Sequence, residues 1–164
     1  MTFFRYTFIM NNFKTLLQKQ GLKATTQRMS LLGSIEMAGH IDIENLYRAM
    51  THKHPSLSLN TVYLNLEHLG KKGIITKVAL DSTKDVYEIT KEAHAHQICS
   101  ICGHVEDMSM PHNISHFFTD SIKPAFKPSY VSVSIYGVCE SCAKNQTRSS
   151  HKGDMHEKIL NITL

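Results

Sequence analysis

The stretch SLNTVYLNLEHLGKKGIITKVALDSTKDVYEI, residues 58–89, changes its hydrophobic period near its middle, and this change decides the fold. In the first half, apolar residues from Leu59 onward recur at helical spacing, behind a Ser58 that can cap a helix. In the second half, two short apolar runs flank a turn at residues 81–84. We therefore predict a helix over residues 59–71 followed by a β-hairpin.

Three further helical patterns precede this stretch. They cover residues 12–20, a segment that begins at Thr25 or Thr26, and a segment capped by Asp42. Three helices, a fourth helix and a hairpin form the layout of a winged helix-turn-helix, which is a DNA-binding module. Residues 1–11, ahead of the first helix, are predicted to be an arm or an upstream extension.

Downstream of the hairpin, shorter elements predict a second, smaller domain that mixes helix and strand. Strands are predicted at 95–99, 103–108 and 130–136, and a helix at 112–123. The fold class is therefore α+β, with a winged-helix domain at residues 12–90 and a small α/β domain at residues 91–145. Residues 146–164 are polar at first and are predicted to be a loose or partly helical tail.

The charge of the chain is unevenly distributed. The net charge is +4, and residues 1–83 carry 10 Lys and Arg but only 5 Asp and Glu. A basic first half is compatible with a polyanionic partner, although this asymmetry alone is weak. No run reaches the roughly 20 apolar residues of a membrane span, and the apolar start is not a convincing signal peptide. We therefore expect a cytoplasmic protein without a membrane partner.

The cysteines of the chain form two Cys-x-x-Cys pairs, Cys99 with Cys102 and Cys139 with Cys142. Four thiolates close a tetrahedral Zn²⁺ site completely and leave no open position for chemistry. In a cytosolic protein such pairs favour a metal over disulfides or redox pairs. The pattern predicts a structural zinc that fastens the region of the first pair to the C-terminal segment.

Histidines and carboxylates near the first cysteine pair suggest a second metal site. His94 and His96 alternate on an extended segment and therefore share a face. Glu88, Asp107 and His40 are further candidates, although each taken singly is more often an ordinary loop or surface residue. A site of imidazoles and carboxylates without sulfur suits Fe²⁺, Mn²⁺, Co²⁺ or Zn²⁺ rather than Cu⁺.

The fourth helix is the predicted recognition helix. Its candidate contacts are Asn60 and Asn65 with base edges, and Thr61 and Tyr63 with the major groove or phosphates. An equally weighted alternative makes Tyr63 a core aromatic. Phosphate contacts are predicted from residues near the start of the second helix, namely Lys23, Gln27 and Arg28.

These motifs together resemble the ferric uptake regulator family of repressors. The matching runs are LKATTQR (22–28), GHIDIENLY (39–47), LNTVYLNLEHLGKKGII (59–75), VYEIT (86–90), HAHQICSICGHVEDM (94–108) and IYGVCESC (135–142). The resemblance implies an N-terminal winged helix, a C-terminal dimerisation domain with a structural Cys₄ zinc, and a regulatory metal. It also implies a homodimer that binds AT-rich inverted-repeat operators in double-stranded DNA when metallated.

Carried over residue by residue, the resemblance implies regulatory ligands at five positions. These ligands are His40, Glu88, His94, His96 and Asp107. Asp107, and the run TVYLN without an Arg after TVY, resemble the peroxide-responsive branch, whereas Glu88 resembles the iron-responsive branch. By the same resemblance, His40 and His94 are the candidates for oxidation.

The function predicted from the sequence is a metal-dependent repressor that senses peroxide through Fe²⁺-dependent histidine oxidation. The first alternative is an iron- or manganese-responsive repressor of metal homeostasis genes without peroxide chemistry. In either case Fe²⁺ or Mn²⁺ is the expected regulatory metal, for which Zn²⁺ can substitute. A remote alternative from another class is a zinc enzyme or metal-storage module, but the sequence shows no nucleophile or substrate pocket, so no catalytic residue is predicted.

Overall fold

The computed structural model describes residues 3–80, 84–92, 94–110, 122–126 and 132–149, with side chains between residues 9 and 145 of those ranges. Contacts between residues divide the chain into two compact units, Met1–His94 and Ala95–Leu164. The domain boundaries placed at residues 11, 90 and 145 stay predictions. In the described part of the chain, no helix has both the length and the apolar character needed to cross a membrane.

The first unit has the predicted layout of a winged helix-turn-helix. Its helices are α1 (Phe3–Lys19), α2 (Thr26–Ala38), α3 (Ile43–Lys53) and α4 (Leu59–Lys71). Its strands are β1 (Ile41–Asp42), β2 (Ile75–Val78) and β3 (Val86–Ile89), in the sheet order β1-β3-β2. The predicted helix over residues 59–71 and the hairpin of β2 and β3 are both confirmed.

Side-chain caps fix where three of these helices begin. The side chains of Thr25, Asp42 and Ser58 each accept a hydrogen bond from the backbone N–H three residues later, at 3.3, 2.9 and 3.2 Å. Such a bond satisfies one of the amide donors that a helix leaves unpaired at its first turn. Of the two threonines considered for α2, Thr25 is therefore the cap.

Helix α1 is longer than predicted. It begins at Phe3 rather than at residue 12, so residues 3–11 are helical. That residues 1–11 form an arm or an upstream extension stays a prediction. Within this added part of the helix, Met10 lies close to α2, since its Cε would lie 2.5 Å from a Cβ added at Gly33. The contact of Met10 with α2 is one that the short sequence window around residues 12–20 does not show.

The core of the first unit lies where the apolar faces of its four helices meet the hairpin. Residue spacings of three and four place these side chains on one side of each helix. The buried members are Phe13, Leu17, Leu31, Leu32, Ile35, Leu46, Met50, Leu57, Val62, Leu66, Leu69, Ile74 and Ile75. Burial of this apolar surface fixes the orientation of α4 and so decides which of its residues face solvent.

Strand β1 was not predicted, because two residues are too few to show a period. It pairs with β3 through Ile41 opposite Tyr87 and Asp42 opposite Val86. This pairing brings the loop residue His40, just ahead of β1, beside Glu88 of β3. A tertiary contact, rather than the local sequence, therefore positions the first candidate ligand.

The second unit is built around a small sheet. Its strands are β4 (His94–Cys99), β5 (Val105–Ser109) and β6 (Val133–Gly137), in the order β5-β4-β6, and helix α5 (Glu140–Ser149) follows. Strands β4 and β6 are parallel, with Ala95 opposite Val133 and Cys99 opposite Gly137. A parallel pair needs a crossover connection, and most of the segment between β5 and β6 lies outside the described residues.

Most strand predictions for this unit hold, with shifted ends. The strand predicted at 95–99 is confirmed, whereas the strand predicted from 103 begins at Val105, because a turn closed by Gly103 N–H donating to the Cys99 carbonyl (2.9 Å) comes first. The strand predicted from 130 begins at Val133, and residues 130 and 131 lie outside the described residues.

In the second unit, one predicted helix lies mostly outside the described residues, and one observed helix was not predicted at its start. Most of the helix predicted at 112–123 lies outside the described residues, and its last two residues belong to a stretch of bends and turns. Helix α5 was not predicted at its start, where the sequence is polar and shows no apolar stripe. The tail predicted from residue 146 is helical to Ser149, and residues 150–164 lie outside the described residues.

Candidate metal centres and nucleic-acid interface

The four cysteines meet at one end of the small sheet. Cys99 ends β4, Cys102 lies in the turn that follows, and Cys139 and Cys142 lie at the start of α5. Their sulfur atoms all lie within 4.8 Å of one another, and none forms a disulfide. Four ligands about 2.3 Å from a tetrahedral Zn²⁺ require sulfurs about 3.8 Å apart. The Cys102 and Cys139 sulfurs are separated by 3.8 Å, so this cluster fits a structural zinc.

The backbone already favours a thiolate in this cluster. The N–H of Cys139 donates to the Cys99 sulfur at 3.3 Å, and this bond, with those from the Cys102 and Ile101 amides, lowers the pKa of Cys99 to about 6. Contact with the thiols of Cys139 and Cys102 instead raises the pKa of Cys142 to about 12. Four sulfurs at this spacing cannot all ionise without a cation, and a bound metal supplies that charge.

A second cluster lies around the carboxylate of Glu88 in the first unit, whose last residue, His94, is also the first residue of β4. Glu88 is only 1% exposed, and its Oε2 lies 3.4 Å from His40 Nε2 and 3.1 Å from His94 Nε2. The same oxygen lies 3.4 Å from the ammonium of Lys91. A carboxylate buried this deeply requires charge-bearing partners, and this one has three nitrogens around a single oxygen.

The ring of His94 is oriented as a metal ligand would be. Its Nδ1 lies 2.8 Å from the carbonyl oxygen of Glu92, and since a carbonyl only accepts, Nδ1 carries a proton and donates. In the neutral ring, Nε2 then presents a lone pair towards the Glu88 carboxylate. Two acceptors at 3.1 Å need a cation between them, either a proton or a metal ion. The residues of this cluster therefore fit a hard or borderline divalent metal.

The second unit contributes a further histidine and carboxylate. His96 on β4 is 4% exposed, and its Nε2 lies 3.9 Å from Asp107 Oδ1 on β5. These two strands are neighbours in the sheet, so the pair needs no long connection to form. The predicted ligands thus occur as two groups, His40 with Glu88 and His94 in the first unit, and His96 with Asp107 in the second.

Helix α4 presents a polar and partly apolar face to solvent, opposite its buried face. Tyr63 is 49% exposed, so the alternative that made it a core aromatic is wrong. Asn60 is exposed beside it, and Thr61 is half-buried, with its hydroxyl 2.9 Å from the Ser58 hydroxyl that caps the helix. Leu59 and Leu64 are exposed as well, although the helical pattern counted Leu59 among the apolar positions of this helix.

The side chains of Asn65 and Arg28 are hydrogen-bonded to each other. Arg28 Nε donates to Asn65 Oδ1 at 3.2 Å, and Arg28 Nη1 donates to the Lys23 carbonyl at 3.1 Å. Asn65 Nδ2 in turn donates to the Thr61 carbonyl at 2.8 Å. Gln27 is half-buried and the side chain of Lys23 is exposed. Asn65 therefore supports Arg28 in the structure, and its contact with a base edge stays a prediction.

Lys91 is the site residue that sequence reasoning missed. A signal for it exists, because Lys91 follows the ligand candidate Glu88 by three residues at the end of β3. Lysine is not a typical metal ligand, so a search for ligand types passes over it. Only the distance between its ammonium and the buried carboxylate reveals the contact.

Comparison with known proteins gives one consistent family. The model of the ferric uptake regulator family matches residues 19–136. The ferric uptake regulation protein of Campylobacter upsaliensis is 30% identical over 141 residues, covering 84% of this chain and 90% of that protein. The peroxide operon regulator of Bacillus subtilis (strain 168) is 28% identical over 131 residues, covering 79% and 90%. The crystal structure of the Campylobacter jejuni peroxide stress regulator matches with a TM-score of 0.64 at 32% identity, covering 78% of this chain and 97% of that one.

Proposed function

Because the protein belongs to the ferric uptake regulator family, whose members are metal-responsive, DNA-binding transcription regulators and not enzymes, we propose that it is a metal-dependent repressor that responds to peroxide. The family membership removes the zinc enzyme from the alternatives. The observation that carries the proposal is the buried Glu88 carboxylate, with the imidazoles of His40 and His94 directed at one of its oxygens.

We propose that one regulatory metal ion, Fe²⁺ or Mn²⁺, binds His40, Glu88 and His94 together with His96 and Asp107. Nitrogen and carboxylate oxygen donors without sulfur suit these ions, and Zn²⁺ can substitute. The chemistry of the set supports this, because each group pairs a carboxylate with at least one imidazole. Ligands drawn from both units give the metal a higher affinity for the conformation in which all five reach it, as any metal-driven switch requires.

In the proposed mechanism, metal binding orients the winged helix for DNA. The protein acts as a homodimer in the cytoplasm, and its two copies of α4 bind the two halves of an AT-rich inverted repeat. The solvent-exposed Tyr63 and Asn60 support a contact with bases or the groove, and the basic first half supports a contact with phosphates. When the metal is lost, the conformation in which all five ligands reach it is no longer favoured, and the affinity for DNA falls.

The peroxide response is proposed to end in oxidation of a metal-binding histidine. Fe²⁺ held by these residues would supply the redox chemistry for cleavage of the O–O bond of hydrogen peroxide. In the net change, one oxygen atom adds to an imidazole ring and the rest of the peroxide leaves as water. His40 and His94 are the proposed targets, since an oxidised ring no longer offers the same lone pair to the metal. Asp107 and the similarity to peroxide regulators support this branch.

A repressor that responds to iron or manganese without peroxide chemistry is the second candidate. Glu88 favours it, and so does the similarity to ferric uptake regulation proteins. This candidate predicts reversible, metal-dependent DNA binding and little histidine oxidation. Both candidates use the same ligands, so the reaction with peroxide separates them.

The test combines DNA binding with mass spectrometry. Protein loaded with Fe²⁺ is bound to an AT-rich palindrome, treated with hydrogen peroxide, and then digested. We expect DNA release and a gain of about 16 Da, one oxygen atom, on the peptides that contain His40 or His94. Protein loaded with Mn²⁺ should stay bound and unmodified. DNA that stays bound under peroxide without histidine oxidation, but is released when a chelator removes the metal, would instead select the second candidate. DNA binding that ignores metal would reject both.

A further inference from the structure

Lys91 contacts the candidate metal site without being able to bind a metal as an ammonium. Its Nζ lies 3.4 Å from Glu88 Oε2, the same oxygen that faces the two imidazoles of the first unit. An ammonium offers three donors and no lone pair, so it cannot take part in coordination. Glu88 is 1% exposed, whereas the side chain of Lys91 is 39% exposed and can move into water.

The contact matters because the carboxylate of Glu88 is buried. A buried carboxylate is costly unless a positive charge or hydrogen-bond donors compensate it. Among the three nitrogens around Oε2, the lysine is a compact point charge on a flexible stem, whereas the imidazoles are the groups that offer lone pairs to a metal. Lys91 therefore supplies in the metal-free protein the charge that a metal ion would supply in the loaded protein.

We propose that Lys91 is an internal competitor of the regulatory metal, which neutralises Glu88 in the metal-free state and sets the metal concentration at which the site fills. The proposal rests on the regulatory site proposed above. A divalent ion bound to Glu88 would repel the ammonium at this separation, so metal binding must be accompanied by departure of Lys91 towards solvent. Part of the binding free energy is then used to break the Lys91–Glu88 ion pair, and the affinity for metal falls.

The first test measures metal affinity directly. Full-length protein with zinc on its four cysteines is titrated with Mn²⁺, and free Mn²⁺ is followed by electron paramagnetic resonance. Lys91→Met keeps the length of the side chain and removes its charge, so we expect binding about tenfold tighter than in the wild type. Lys91→Arg keeps the charge and should bind within about twofold of the wild type. Lys14→Met removes an exposed lysine of α1 and serves as the control for net charge.

The second test measures the stability of the metal-free site. Lys91→Met leaves the buried Glu88 without its ammonium, so the metal-free variant should melt at a lower temperature than Lys14→Met. Addition of Mn²⁺ should raise the melting temperature of Lys91→Met by more than that of the wild type, because the metal restores the missing charge. If Lys91→Met folds poorly, Lys91→Gln, which keeps a hydrogen-bond donor without charge, is compared with Lys14→Met and the wild type by the same melting temperatures.

The outcomes separate this inference from the proposed function. If Glu88→Gln binds Mn²⁺ as tightly as the wild type does, the regulatory site itself is wrong, and the role of Lys91 falls with it. If Glu88→Gln loses Mn²⁺ but Lys91→Met binds with the affinity of Lys14→Met, the regulatory site stands and the competition by Lys91 is overturned. Tighter binding by Lys91→Met and Lys91→Gln, but not by Lys91→Arg, supports it.

Discussion

Arg28 donates a hydrogen bond from Nε to Asn65 Oδ1 at 3.2 Å and thereby joins the start of α2 to the middle of α4, the predicted recognition helix. Asn65 also donates to the Thr61 carbonyl at 2.8 Å, so both ends of its amide are engaged. The guanidinium still has further N–H donors, since only Nε and Nη1 have these bonds. The arrangement presents an oriented arginine beside the exposed face of α4.

Replacement of Asn65 should therefore act through Arg28. We expect Asn65→Ala to lower the free energy of unfolding by about 1 kcal/mol, because a half-buried hydrogen bond is lost. We also expect about tenfold weaker binding to specific and unrelated DNA alike, since arginine contacts with phosphates carry no sequence information. Urea unfolding and fluorescence anisotropy measure the two effects.

The control is Asn60→Ala, which removes the exposed asparagine of the same helix. This change should leave stability within about 0.5 kcal/mol of the wild type. If Asn60 contacts a base edge, the variant loses affinity for the operator but not for unrelated DNA. A loss confined to the operator in Asn65→Ala would contradict its role as a support for Arg28.

Much of the fold could be predicted because local signals and burial agree. Helix α4 has both its cap at Ser58 and a continuous apolar face, and its predicted bounds of 59 and 71 match the structure. Strand β1 and the start of α1 could not be predicted in this way. Strand β1 exists through pairing with β3, and the added part of α1 includes Met10, whose contact with Gly33 of α2 no local pattern shows.

The candidate sites divide in a similar way. Cysteine spacing predicts the four-sulfur cluster because the residue type and the spacing are themselves the signal. His40 and Asp107 could be identified only through resemblance to a family, since a lone histidine or carboxylate carries no local pattern. Contacts such as Arg28 with Asn65 and Lys91 with Glu88 depend on distances across the fold, which no sequence period encodes.

The close approach of Met10 to Gly33 provides a test of the extended α1. A Cβ at Gly33 would lie 2.5 Å from Met10 Cε, which is the movable end of a flexible side chain. Gly33→Ala gains up to about 1 kcal/mol of helix propensity but displaces Met10, so we expect a small net effect. In the background of Met10→Ala the obstacle is gone, and the same change should stabilise by about 1 kcal/mol.

A double-mutant cycle of these two positions measures the coupling by urea unfolding. Coupling of about 0.5 kcal/mol or more indicates that the two residues touch in solution. Additive effects of the two changes would show that α1 does not pack on α2 at residue 10.

The lowered pKa of Asp42 predicts that the first unit loses part of its stability in acid. Burial raises its pKa, but hydrogen bonds from the backbone and side chain of Asn45 outweigh that effect and hold the pKa below its usual 3.8. A carboxyl with a lowered folded pKa stabilises the fold fully above its unfolded pKa, and this contribution is lost as the pH falls through the folded pKa. Asp42→Asn keeps a helix cap without this charge.

We therefore expect the wild type to be more stable than Asp42→Asn at about pH 5, and the difference to shrink towards about pH 3. Urea unfolding of both proteins across this range gives the difference directly. Asp42→Ala, which also removes the cap, should cost about 1 kcal/mol more than Asp42→Asn at either pH. If the difference in unfolding free energy between wild type and Asp42→Asn does not change with pH, it comes from the shape of the side chain rather than from its charge.

The four-cysteine cluster predicts how the two units respond to loss of zinc. Cys99 ends the central strand β4, and its sulfur accepts the N–H of Cys139 at the start of α5, so a metal there fastens the strand to the helix. Apparent zinc-binding energies of about 10–16 kcal/mol are comparable to the whole stability of a domain. Cys99→Ser should therefore lose zinc and abolish cooperative melting of the second unit, while the first unit keeps its own core.

Metal analysis of the purified protein and circular dichroism melts measure the two losses. A strong chelator should reproduce the effect of Cys99→Ser in the wild type and add little to the variant. The matched control is Ser141→Ala, which changes an exposed residue between Cys139 and Cys142 and leaves all four sulfurs in place. Full zinc content and an unchanged melt in Cys99→Ser would show that the sulfurs do not hold a structural metal. The helices of the first unit should still show their own melting transition after zinc loss, because the apolar core of that unit contains no residue of the cluster.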